Sequence, residues 1–163
     1  MRIYLPATLP LVAELQKSGE LGPPPLTAFA VTPSLREWYL DEDIEELEYA
    51  AFSEAARASL RLIDADLIAQ PRRVVISADV PDQHITPHPE LDRAVVRIGT
   101  AVPLDWLASV HVDSPDAAPD VAAAAQAVTA ADLGDEDAQF AMDSAEGHEL
   151  EWYGVQEIPE ILS

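Results

Sequence analysis

Apolar residues alternate with polar ones in several short runs of this chain and recur every third or fourth position in others. Strict alternation predicts strands at Arg2–Pro6, with Ile3 and Leu5 on one side, and at Arg73–Val80, with Val74, Ile76, Ala78 and Val80 on one side. Further strands are expected at Thr27–Val31, Arg93–Gly99, Ser109–Asp113 and Glu149–Gln156. The spacing of Ile44, Leu47, Ala51, Ala55, Ala58, Leu62 and Ile63 predicts a helix from about Asp43 to Asp64. Asp41, Glu42 and Asp43 at its start and Arg57 and Arg61 toward its end both complement the helix dipole. Shorter helices are expected after Thr8 and after Thr32, each with proline in the first turn, and at Pro119–Ala131 and Asp135–Ser144. Val102–Leu107 reads as one or two helical turns, and Pro81–Pro89 as a loop.

A strand followed by a proline-started helical turn recurs four times, at Arg2–Leu15, Ala28–Tyr39, Val96–Leu107 and Trp152–Leu162. Strands and helices are mixed, and the neighbouring strands 73–80 and 93–99 are expected to pair antiparallel. The pattern therefore implies an α+β fold: a single domain over residues 1–163, with a mixed or antiparallel sheet of about five or six strands and helices packed mainly on one face. Its aliphatic side chains should share one interior.

Charge changes the picture more than composition does. The chain carries 30 acids against 9 bases, a net charge of −21. Residues 101–163 hold fourteen acids and no lysine or arginine, the last basic residue being Arg97. So negative an exterior repels phosphate backbones and anionic lipid, which argues against direct nucleic-acid or membrane-surface binding. With 48% apolar residues the chain has the driving force to fold despite its charge. There is no cysteine, hence no disulfide or thiolate chemistry. No apolar run approaches the roughly 20 residues of a membrane helix, and none resembles a secretion signal, so a cytoplasmic protein is expected.

Candidate chemistry is sparse. No phosphate-binding loop, dinucleotide fingerprint, serine elbow or zinc signature is present, so no cofactor is expected. His84 and His88 have a zinc-like spacing, but Pro87 and Pro89 break the helix it needs. His111 and Asp113 share a strand face, as an acid–base pair could, though a solvated face is the simpler reading. Asp132, Asp135, Glu136 and Asp137 lack the order of a calcium loop and read better as a helix start, leaving no metal site expected. The densest patch is Glu146-Gly147-His148-Glu149 beside Leu150-Glu151-Trp152-Tyr153. Here Gly147 permits a tight turn, and His148 is the candidate general acid or base, with Glu146 or Glu149 to orient it. Trp152, Tyr153, Trp38 and Tyr39 are the candidate binding aromatics.

Met1–Thr8 (MRIYLPAT), Ala30–Tyr39 (AVTPSLREWY) and Glu146–Tyr153 (EGHELEWY), with Glu46–Ala51 and Arg72–Pro81, together resemble a family of short actinobacterial proteins of unknown function. The resemblance spans nearly the whole chain and implies no activity or catalytic residue. The one-sided charge and the lack of a catalytic signature favour a non-catalytic interaction module for a basic protein. An enzyme built on His148, Glu146 and Glu149 is the alternative, and a nucleic-acid mimic a further one.

Overall fold

Alternation in the first strand is what organises the molecule. In the computed structural model, which describes residues 1–39 and 43–163, β1 (Arg2–Ala7) lies in the middle of the main sheet. Along the chain follow α1 (Leu9–Ser18), β2 (Glu20–Leu21), β3 (Leu26–Ala30), α2 (Pro33–Trp38) and α3 (Ile44–Ala65). Next come β4 (Val74–Asp79), β5 (Ile85–Pro87), β6 (Val95–Ile98), β7 (Val102–Pro103) and β8 (Leu107–Asp113). The chain closes with α4 (Ala118–Asp132), α5 (Glu136–Glu146), β9 (Leu150–Tyr153) and α6 (Ile158–Leu162). Seven strands form an antiparallel sheet in the order β5-β6-β3-β1-β4-β8-β9, and β2 pairs with β7 in a separate ribbon. The fold is α+β.

The sheet divides the interior instead of leaving the single one that the periodicity implied. Ile3, Leu5, Ile76, Val96, Val110 and Val112 face one way, packed with Val12 and Leu15 of α1 and Ile158 and Ile161 of α6. Tyr4, Phe29, Val75 and Val95 face the other way, beneath Leu35 of α2 and Leu47, Ala51 and Ala55 of α3. A third cluster joins Leu60 and Ile63 of α3 to Val121, Ala124 and Val128 of α4 and Met142 of α5. Four of the six helices thus gather over one face, and α1 and α6 cover the other.

Local chemistry fixes the elements. Thr32 caps α2, its hydroxyl oxygen accepting from Leu35 N at 3.1 Å while the hydroxyl donates to the Arg93 carbonyl. Asp43 caps α3 by accepting from Glu45 N at 3.0 Å. Asp41 and Glu42, read as part of that helix start, lie outside the described residues. Ser59, fully buried, donates to Ala7 O at 2.7 Å and accepts from Val74 N at 3.1 Å, tying α3 to β1 and β4.

Three expectations change. Strands 73–80 and 93–99 do not pair; β4 lies between β1 and β8, and β6 between β3 and β5. One partner of β6 was hidden in the supposed loop: β5 ends in Pro87, and an edge strand tolerates proline because its outer N–H has no ladder partner. Arg57 and Arg61, expected to complement the helix dipole, lie short of the last turn of α3 and grip Asp132 on α4, at 2.6 and 2.7 Å. No helix among the described residues is long and apolar enough to cross a membrane.

Candidate functional site

Because α3 lies chiefly over β3, β1 and β4, it stands off from β8 and β9 at one end of the sheet. The strand face there carries polar side chains where β1 and β4 elsewhere carry aliphatic ones. Tyr4 on β1 is register partner of Ser77 on β4, Ser77 of Ser109 on β8, and His111 on β8 of Trp152 on β9. Period-two alternation puts them all on the side of α3. The result is a cleft of about 660 Å³. Its floor is the strand face just described; one wall is α3, through Glu48, Tyr49, Phe52, Ser53 and Arg57. The opposite rim is Met142 and Glu146 of α5 with His148 and Glu149 of the following turn.

His111 is the centre of the floor. Its Nε2 lies 2.9 Å from Ser109 Oγ and 3.5 Å from Ser77 Oγ. The Phe52 ring stands edge-on to the imidazole at 4.9 Å, and Tyr4 edge-on to Phe52 at 5.9 Å. Burial, helped by the positive charge of Arg2, pushes the His111 pKa below its ordinary value and favours the neutral ring. Tyr4 donates from its hydroxyl to Glu48 Oε2 at 3.3 Å. Burial, reinforced by the Glu48 charge, raises the Tyr4 pKa to about 12.

Asp113 does not share the cleft with His111, although the two project from the same strand face. It is fully buried and bound to Arg73: Nε reaches Oδ2 and Nη2 reaches Oδ1, both at 2.8 Å, and Arg73 N also donates to Oδ2 at 2.8 Å. Arg73 Nη2 donates as well to Ala145 O and His148 O, each at 3.0 Å. One buried guanidinium thus fixes the end of α5 and the turn that forms the rim. An imidazole and a hydroxyl lie in contact at Ser109–His111, as in nucleophile–base pairs, but the carboxylate that could have oriented His111 is committed to Arg73.

The residues singled out in sequence are partly assembled here. Glu146, His148, Glu149 and Trp152 all line the cleft. His148 is oriented by neither neighbouring glutamate: its Nε2 contacts Asp120 Oδ2 on α4 at 2.8 Å. Gly147 sits in the right-handed helical region at φ −67°, so the turn does not depend on its freedom. Trp152 is 62% exposed at the mouth, whereas Tyr153 points to the opposite face and packs on the α1–α6 core. Trp38 and Tyr39 lie away from the cleft: Trp38 is stacked by the Arg93 guanidinium at 3.5 Å, and Tyr39 packs beside α3. His84 stacks on Trp106 and His88 contacts Glu90 at 2.7 Å, so the two histidines serve different neighbours. Asp135 caps α5, accepting from Ala138 N at 2.8 Å. Tyr4, Glu48, Phe52, Ser77 and Ser109 were not singled out. For Ser77 and Ser109 a signal was present, in two strands that each carry serine on the face opposite the aliphatic row.

The chain belongs to a family of unknown function, DUF6912, whose model matches residues 1–162. No curated protein and no solved structure matches it.

Proposed function

We propose that the protein is a non-catalytic binding module whose cleft between α3 and the β1-β4-β8-β9 face seats a small organic ligand. The cleft itself carries the reading. Its volume, about 660 Å³, falls in the roughly 300–1,000 Å³ range of small-molecule sites. Tyr49, Phe52, Met142, Leu150 and Trp152 supply aromatic and apolar surface, and among the cleft's polar groups Ser109–His111 and Tyr4–Glu48 are already in contact. Such preorganisation lowers the entropic cost of binding. Asp113, locked to Arg73, leaves His111 without an orienting acid, which favours recognition over catalysis.

A saturation-transfer NMR screen of fragments against the wild type and Ser53→Trp tests this. Ser53 is exposed on α3 and lines the cleft, so tryptophan there fills the space without disturbing the core. Fragments that bind the wild type and lose contact in the variant support the reading; binding that Ser53→Trp leaves unchanged contradicts it.

The exterior favours a second reading, a basic protein partner. Of the fourteen acids after Arg97 only Asp113 is buried. A basic partner would associate faster at low salt. Capture from lysate at low and high salt tests it, and recovery of no basic partner at low salt counts against it.

A further inference from the structure

We infer that the cleft takes a small organic cation, an ammonium or guanidinium on an apolar body. The inference rests on the cleft being a ligand seat and names what sits there.

Charge in the cleft is unbalanced once its ion pairs are counted. Arg2 is held by Asp79 at 2.8 Å, Arg57 by Asp132 at 2.6 Å and Arg73 by Asp113 at 2.8 Å. Each arginine lining the cleft thus faces a carboxylate, although Asp132 also holds Arg61, so one acid serves two guanidinium groups there. Glu48, Glu146 and Glu149 also line it, and among the described residues none of them forms an ion pair. With His148 and its partner Asp120 left aside, four arginines in and beside the cleft face six carboxylates, so the surplus is negative and opposes an anionic ligand.

The floor adds an independent pointer. Ser77 and Ser109 are 2% and 5% exposed yet both line the cleft. Their one hydrogen-bond neighbour among the described residues is His111 Nε2. In either tautomer of the neutral ring that nitrogen makes one strong hydrogen bond, which Ser109 shares at 2.9 Å, so Ser77 at 3.5 Å has only a weak one. A buried hydroxyl with only a weak partner leaves hydrogen-bonding capacity unused, and a donor-rich head group entering the cleft would take it up. Serine oxygens retain lone pairs for an N–H donor even when their protons are used. His111 is favoured as the neutral ring, so it adds no competing positive charge of its own.

The walls suit the rest of such a ligand. Tyr49 and Trp152, 71% and 62% exposed, flank the mouth, and Phe52 lies deeper. Aromatic faces attract a cation and bury an apolar body at once.

The test is calorimetric titration of the full chain at 0.15 M ionic strength with three matched probes: 2-phenylethylamine, 2-phenylethanol and 3-phenylpropionate. The amine is expected to bind at least tenfold more tightly than the alcohol, and the carboxylate not at all. Glu146→Gln with Glu149→Gln should bring the amine to the affinity of the alcohol and leave the alcohol unchanged. Asp105→Asn with Asp116→Asn, exposed and off the cleft, should change neither, which separates a local site from general attraction to an acidic protein. Equal affinity for amine and alcohol overturns the cation inference while a Ser53→Trp-sensitive alcohol keeps the ligand seat. Binding of an oligolysine peptide without binding of the free amine also overturns it. If none of the three probes binds, both the inference and the seat it rests on fall.

Discussion

Replacing Asp113 by alanine should be the most damaging single polar substitution in the chain. The carboxylate is fully buried and accepts three hydrogen bonds from Arg73, two from the side chain and one from the backbone, all at 2.8 Å. Its loss leaves a guanidinium that is 4% exposed without its counter-charge. Removing one partner of a buried pair costs about 3–5 kcal/mol, chiefly because the remaining charge stays desolvated. For a chain of this size, about 2–4 °C of melting temperature accompanies each kcal/mol, so Asp113→Ala should lower Tm by about 6–20 °C. Thermal unfolding followed by circular dichroism reads this, with Asp132→Asn as the control. Asp132 holds two arginines at the surface, where such pairs contribute about 1 kcal/mol or less each. Replacing both Arg73 and Asp113 by apolar residues of similar volume should recover only part of the loss, because Ala145 O and His148 O would still lack their donor. An Asp113→Ala melting point within 3 °C of wild type would refute the reasoning.

Other outcomes follow from the same contacts. His111 should titrate below the ordinary histidine value by NMR; because its folded pKa is depressed, the unfolded chain binds the proton more readily, and stability should fall as pH drops from about 6.5 toward the folded value, a slope absent in His111→Asn. Tyr4 should ionise near pH 12 in an ultraviolet titration; its folded pKa lies above the unfolded value, so the stability it contributes is complete below about pH 10 and lost as pH rises toward 12, and Glu48→Gln should bring the titration down. Thr32→Ala removes the α2 cap and the bond to Arg93 O and should cost about 1–2 kcal/mol in urea unfolding; no change would deny the cap a role. Ile76→Ala, at a fully buried site at the sheet centre, should cost about 2–5 kcal/mol, and a near-neutral result would contradict the packing described.

Periodicity located most of the elements because β1, β4 and α3 each carry an unbroken apolar row set by packing. It failed where another constraint outweighed local pattern. The pairing of β4 depends on contacts with residues far along the chain, Arg2–Ala7 and Leu107–Val112, which sequence proximity does not reveal. β5 is three residues long and ends in proline, a composition that reads as loop. At the site, Glu146, His148, Glu149 and Trp152 were legible as a dense run of chemistry-bearing types. The orienting partner of His148 was not, because Asp120 lies 28 residues away on α4. Asp113 illustrates the limit of strand-face arguments: sharing a face with His111 said nothing of Arg73, which draws the carboxylate into the core.

The claim that the cleft is a ligand seat is tested most directly by amide and indole correlation spectra of the isotope-labelled protein, recorded as the tightest-binding probe is added. The account predicts saturable shifts confined to Tyr49, Phe52, Ser109, His111 and the Trp152 indole, all cleft residues, with the Trp38 indole unmoved. Shifts centred on Trp38 or spread over the acidic exterior, with the His111 and Trp152 signals unchanged, would contradict it.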